Sequence, residues 1–157
     1  MNRNVKFVFF IVLITLQLIQ NSFTSFSQIN FDFTYLIIIF MALKSNLIKT
    51  GITATILGLL TDFTSGGILG VFGFSRTFIA FLIRGIISLI DLKQGSYVFL
   101  ITTISLSISN LIVNLLMFII SNYPINIYFI LLQPFLTGLL TLLILKIPYL
   151  KKQLDVY

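Results

Sequence analysis

Residues 51–70 read GITATILGLLTDFTSGGILG, and this stretch decides the fold. Gly51, Ala54 or Thr55, Gly58 and Asp62 recur at helical spacing, so they share one side of a helix. Between them stand only aliphatic and hydroxyl side chains. Where lipid removes the hydrophobic drive between helices, small residues let two backbones approach and gain dispersion contacts. The stripe is therefore a helix-packing face. It leads to Asp62, near the end of the run, where a carboxylate reaches water or a partner. Ser65-Gly66-Gly67 then ends the helix in a turn with backbone angles that favour glycine. A second apolar run opens at Ile68. The stretch reads as a helical hairpin in a bilayer. Gly66 and Gly70 also match the GxxxG spacing of close helix pairs.

The whole composition agrees with that medium. Of 157 residues, 58% are hydrophobic and 9% are charged, and the mean hydropathy is +1.11. Soluble domains average about 45–50% apolar and about 25% charged residues. Four acids and ten bases cannot clothe a soluble surface of this size. A soluble enzyme, a disordered chain and a nucleic-acid-binding domain are excluded. There is no Glu, His, Cys or Trp. That removes the disulfide framework, the thiolate nucleophile, the commonest general base and the commonest metal ligands. The carboxylates are all Asp and far apart in sequence. We expect no catalytic residue, no cofactor and no metal.

A membrane helix needs about 20 mostly apolar residues. Working outward from the hairpin, apolar runs cover about 5–20, 31–43, 48–63, 68–90, 97–120 and 127–147. They are continuous and do not alternate, so they predict helices and not a transmembrane barrel. The first carries Arg3 and Lys6 just before it and is followed by NSFTSFSQ, with no small-x-small cleavage site. It is expected to stay as an anchor. The expectation is an all-α bundle of six transmembrane helices, one transmembrane domain over residues 1–157.

The basic residues test the count. With six crossings, Arg3, Lys6, Lys44, Lys49, Lys93, Lys146, Lys151 and Lys152 share one side. The loops of the other side, 21–30, 64–69 and 121–126, hold no Lys or Arg. The positive-inside rule then places both termini in the cytoplasm. The short run 31–43 must cross, or the later loops invert.

Charge inside a span is costly and marks function by default. Asp62, Arg76 and Arg84 qualify. Arg76, Ala80 and Arg84 stand four apart on one face of the fourth run. An Asp62–Arg76 ion pair is the structural expectation. A basic face meeting another subunit or an anionic ligand is the functional one. Arg84 is expected to snorkel to the cytoplasm or reach Asp91. The fifth run carries a polar seam of Thr103, Ser107, Asn110 and Asn114, and the sixth carries Gln133, Thr137 and Thr141 with Pro134 among them. Such seams form interhelical hydrogen bonds or line a pocket.

The 51–70 stretch resembles the rod shape-determining protein MreD family. That family's pattern is a glycine-bearing helix running into an Asp, a Ser/Gly turn, and Leu-Gly opening the next helix. Here these are Gly58, Asp62, Ser65, Gly66, Leu69 and Gly70. Leu16-Gln17 late in the first run and the IIIFMALKS ending of the second resemble the family as well. The resemblance implies a non-catalytic protein of the bacterial inner membrane, multi-pass, in the cell-elongation machinery of lateral peptidoglycan synthesis. It implies MreC as partner, and with it MreB, RodA and its class B penicillin-binding protein. Gly58, Asp62, Ser65, Gly66, Gly67, Gly70, Arg76 and Arg84 are the candidates for helix packing or partner contact. The family is also similar in fold to the S components of energy-coupling factor transporters. A second reading follows, a vitamin-binding subunit using the seams of the fifth and sixth runs. Such subunits meet their energising partner through small residues on the first helix, and residues 5–20 contain no Ala or Gly.

Overall fold

A computed structural model describes residues 3–23, 31–89 and 95–146. It contains six helices and, among the described residues, no strand. They are α1 (Arg3–Phe23), α2 (Phe33–Lys44), α3 (Leu47–Ser65), α4 (Val71–Leu89), α5 (Gly95–Ser121) and α6 (Ile127–Lys146). Each coincides with one of the apolar runs read from the sequence. The segments 47–65, 96–121 and 127–146 are long and apolar enough to cross a membrane, and the apolar stretches Val8–Asn21 and Phe33–Lys44 are shorter.

α2 is the centre of the molecule. Thr34 to Phe40 are all buried, as is Ala42. An α-helix rises about 1.5 Å per residue, so a helix of this length falls well short of a bilayer's hydrocarbon core. That is tolerable because α2 is apolar all round and is surrounded by protein. α1, α3, α4 and α6 all touch it. The outer helices carry the exposed apolar side chains instead, among them Ile56, Phe63, Phe74, Ile104, Ile119 and Leu143.

The most extensive helix contact is α3 with α4, followed by α5 with α6. α3 and α4 are antiparallel. At their crossing a Cβ on Gly58 would stand 2.6 Å from Gly73 Cα and 2.8 Å from the Phe72 carbonyl oxygen. Only glycine permits that approach. Farther along, the same hypothetical atom on Gly51 meets the tip of the Phe81 ring at 2.7 Å, and a ring can swing aside. Between the two points the Thr55 and Thr77 hydroxyls bond across the pair at 2.7 Å. Gly58→Ala should therefore destabilise by about 1–3 kcal/mol through overpacking against backbone, while Gly51→Ala costs little. Thermal unfolding of the two variants in detergent measures the difference; equal melting temperatures would refute it.

Candidate functional site

The turn between α3 and α4 is built around Asp62. Ser65 is followed by Gly66 in the left-handed region, φ 65°, which ends α3. Gly70 has φ 98°, and α4 begins at Val71. The first backbone N–H groups of a helix have no partner within it. Asp62 supplies one: its Oδ2 accepts from Gly70 N at 3.0 Å and Gly73 N at 3.0 Å, and its Oδ1 accepts from Phe72 N at 2.9 Å. The carboxylate is buried, with 1% exposure, and its negative charge faces the positive end of the α4 dipole.

The expected Asp62–Arg76 ion pair is absent, and Arg76 pairs with Asp32. Its Nη2 lies 2.5 Å from Asp32 Oδ2, with both side chains buried. The reason is saturation on one side and direction on the other. Asp62 is spent on three backbone N–H groups. Arg76 points to α2, parallel to α4, and Asp32 stands at its N-cap. Arg76 Nη1 donates to the Thr34 and Thr61 hydroxyls and to the Leu57 carbonyl. The Phe72 ring covers the guanidinium at 5.3 Å. Asp32 Oδ1 accepts from Tyr35 N and from the Thr34 hydroxyl, each at 2.8 Å.

The N-terminal end of α2 is thus a junction. Gln17 of α1 accepts from Phe33 N at 2.8 Å, Gln20 bonds both the N–H and the C=O of Phe31, and Thr137 of α6 accepts from Asp32 N at 3.1 Å. Four other helices hold one helix end. Arg84 serves the opposite end: its Nη1 donates to the Ala42 carbonyl at 3.2 Å, near the negative end of α2. Asp91, its other expected partner, lies outside the described residues, as do Lys93, Lys151 and Lys152.

The remaining candidates fall as follows. Gly58 is at the α3–α4 crossing, and Ser65 is exposed with its hydroxyl donating to the Asp62 carbonyl at 3.3 Å. Gly66 and Gly70 lie in the turn with positive φ, so their GxxxG spacing does not form a helix-packing face; Gly58 and Gly73 do. Gly67 sits in the same turn.

The polar seams of α5 and α6 are spent largely on neighbours. Asn110 Nδ2 donates to the Phe129 carbonyl and to Gln133 Oε1, and Asn114 Oδ1 accepts from Asn126 N. Ser109 bonds Ser75 of α4 at 2.9 Å. Among the described residues no group of His, Cys, Asp or Glu could hold a metal.

Sequence reading missed Asp32. Its signals were an Asp at the mouth of an apolar run, three residues before Tyr35, which is N-cap spacing. α2 itself, short and apolar on every side, reads from the sequence as a crossing helix, and the structure makes it the core.

A buried charge junction of this kind holds helices in register. The family model for rod shape-determining protein MreD matches residues 1–153. The chain belongs to the MreD family. Membership gives it a role in rod-shape determination and, with its apolar helices, makes it a membrane protein. The MreD-like pattern of residues 51–70 also acquires a physical meaning: the Asp caps the helix that the Ser/Gly turn begins. No curated protein and no solved structure matches the chain.

Proposed function

We propose that the protein is a non-catalytic scaffold of the cell-elongation machinery in the bacterial inner membrane, crossing it six times with both termini in the cytoplasm and working with MreC. Membership of the MreD family carries the reading. The distribution of Lys and Arg supports the orientation. Lys44 and Lys146 end α2 and α6, and the turn after α3 is free of bases. MreB, RodA and its class B penicillin-binding protein are the further partners of such a scaffold.

The contact with MreC belongs at the α3–α4 turn. Gly58, Asp62 and Arg76 are buried, so they act on a partner only by shaping what surrounds them. Phe63 and Leu69, 80% and 69% exposed, flank the turn and are what a neighbouring helix would touch.

Depletion in a rod-shaped host should give rounded, widened cells, and cells that keep their width would sink the reading. Phe63→Ala with Leu69→Ala should reduce recovery of MreC on co-purification without lowering the melting temperature. Unchanged recovery would move the contact elsewhere.

A further inference from the structure

Beside the α2 junction lies a cavity of about 220 Å³, open on one side, at the turn end of the bundle. Its walls come from α1, α2, α3, α4 and α6. We propose that it binds a small neutral polyol, of the size of a single sugar ring, either free or as the head group of a lipid.

The lining decides the chemistry by elimination. Gln17, Asp32, Thr61 and Arg76 are buried polar groups that border the cavity, and an apolar guest would leave Arg76 Nε and one N–H of Gln17 without an acceptor. An anion would meet Asp32, and Asp62 stands beside Thr61 on the same helix. A cation would meet Arg76. The Asp32–Arg76 pair neutralises itself, which favours a neutral guest.

Hydrogen-bonding capacity is left over on the donor side. Among the described residues Arg76 Nε has no partner, although the group is 2% exposed. Gln133 spends its Oε1 on Asn110, and its amide nitrogen has no partner among the described residues. Gln17 donates once, to Asn21, and keeps a second N–H. A guest must therefore present several acceptor oxygens. Hydroxyl groups do so without charge.

Phe72 and Phe129 complete the wall, their rings 6.1 Å apart and edge to face. They offer an apolar surface to the C–H side of a ring while the amides reach its hydroxyls. The volume is below the roughly 300–1,000 Å³ of drug-sized sites and admits one ring.

In the orientation proposed above the mouth opens on the outer side of the membrane, but binding does not depend on that orientation. The test exploits a chain without cysteine. Ser65 is exposed and borders the cavity, and Ser121 is exposed at the end of α5 and does not border it. Ser65→Cys and Ser121→Cys variants of the full chain, purified in detergent, are reacted with a small charged thiol reagent. Methyl glucoside should slow the Ser65→Cys reaction by 1 + [L]/Kd, about threefold at twice the Kd. The Ser121→Cys rate should not change. Nanodiscs containing a glucosyl diacylglycerol form the second arm. Protection in either arm supports the site and tells a free polyol from a lipid head group.

Adding Gln133→Ala should abolish protection. If it alters the Ser121→Cys rate, and so the fold, Phe129→Ala takes its place. An unreactive Ser65→Cys, no protection in either arm, or equal protection at Ser121→Cys overturns the proposal. Cell width in the depletion assay reads the scaffold separately, so the two ideas fail independently.

Discussion

Asp32→Ala is expected to remove about 3–5 kcal/mol of stability, the range for breaking a buried ion pair from one side. The cost is not the value of the attraction. It comes from what remains. Arg76 stays 2% exposed with its charge uncompensated, and its Nη1 bonds to Thr34 and Thr61 cannot replace a carboxylate. Tyr35 N and the Thr34 hydroxyl lose the oxygen they share. The end of α2 loses its N-cap, worth about 0.5–2 kcal/mol where measured. Because α1, α3, α4 and α6 meet there, the loss should loosen the whole bundle and not one helix end.

The check is thermal and denaturant unfolding in detergent, with a partner variant that keeps the idea testable if Asp32→Ala does not fold. Asp32→Ala combined with Arg76→Met removes both charges and retains side-chain volume at the α4 position. Apolar replacements of buried pairs are often neutral. The double variant should therefore be more stable than Asp32→Ala alone although Arg76→Met by itself destabilises, a change of sign that independent sites cannot give. If Asp32→Ala costs under about 1 kcal/mol, the pair behaves as an exposed one, and the junction is wrong.

The pairing that drives this prediction was the part of the site that the sequence hid. The helices were legible because each is a continuous apolar run, and a bilayer admits few alternatives for such runs. The Asp62 turn was legible because its parts are neighbours: helix, carboxylate and glycines lie within one short stretch. Asp32 and Arg76 are 44 residues apart, and only the parallel placement of α2 beside α4 brings them together. From sequence, the nearest carboxylate to Arg76 was Asp62, and proximity along the chain favoured the wrong partner. The same logic hid the role of Arg84, whose acceptor is a backbone carbonyl at the C-terminal end of α2 and carries no sequence mark. Gln17 was visible only as part of a family resemblance. Its work, accepting from Phe33 N–H, depends on where α1 lies.

Asp62→Ala should cost about 2–4 kcal/mol: the buried Gly73 N–H left without a partner costs about 1–3 kcal/mol, and the part-buried Gly70 and Phe72 N–H groups, which water can reach, add the rest. Gly70, Phe72 and Gly73 lose their acceptor together. Gly73 is also the residue that α3 approaches through Gly58, so the loss occurs where water cannot easily enter to compensate. Asp62→Asn separates charge from hydrogen bonding. Its amide oxygen can keep the place of one carboxylate oxygen, but the amide nitrogen then faces at least one N–H that needs an acceptor. The expected order of melting temperature is wild type, then Asp62→Asn, then Asp62→Ala, with hydrogen exchange fastest at Gly70, Phe72 and Gly73. Added Arg76→Met should not rescue either variant, since Arg76 belongs to the Asp32 pair. Rescue by that change would mean that Asp62 and Arg76 interact after all. Recovery of MreC should fall with the ordering of the turn and track the melting temperature across these variants, whereas Phe63→Ala with Leu69→Ala lowers recovery at constant stability. Opposite behaviour, full recovery in an unstable Asp62→Ala, would detach the turn from partner binding.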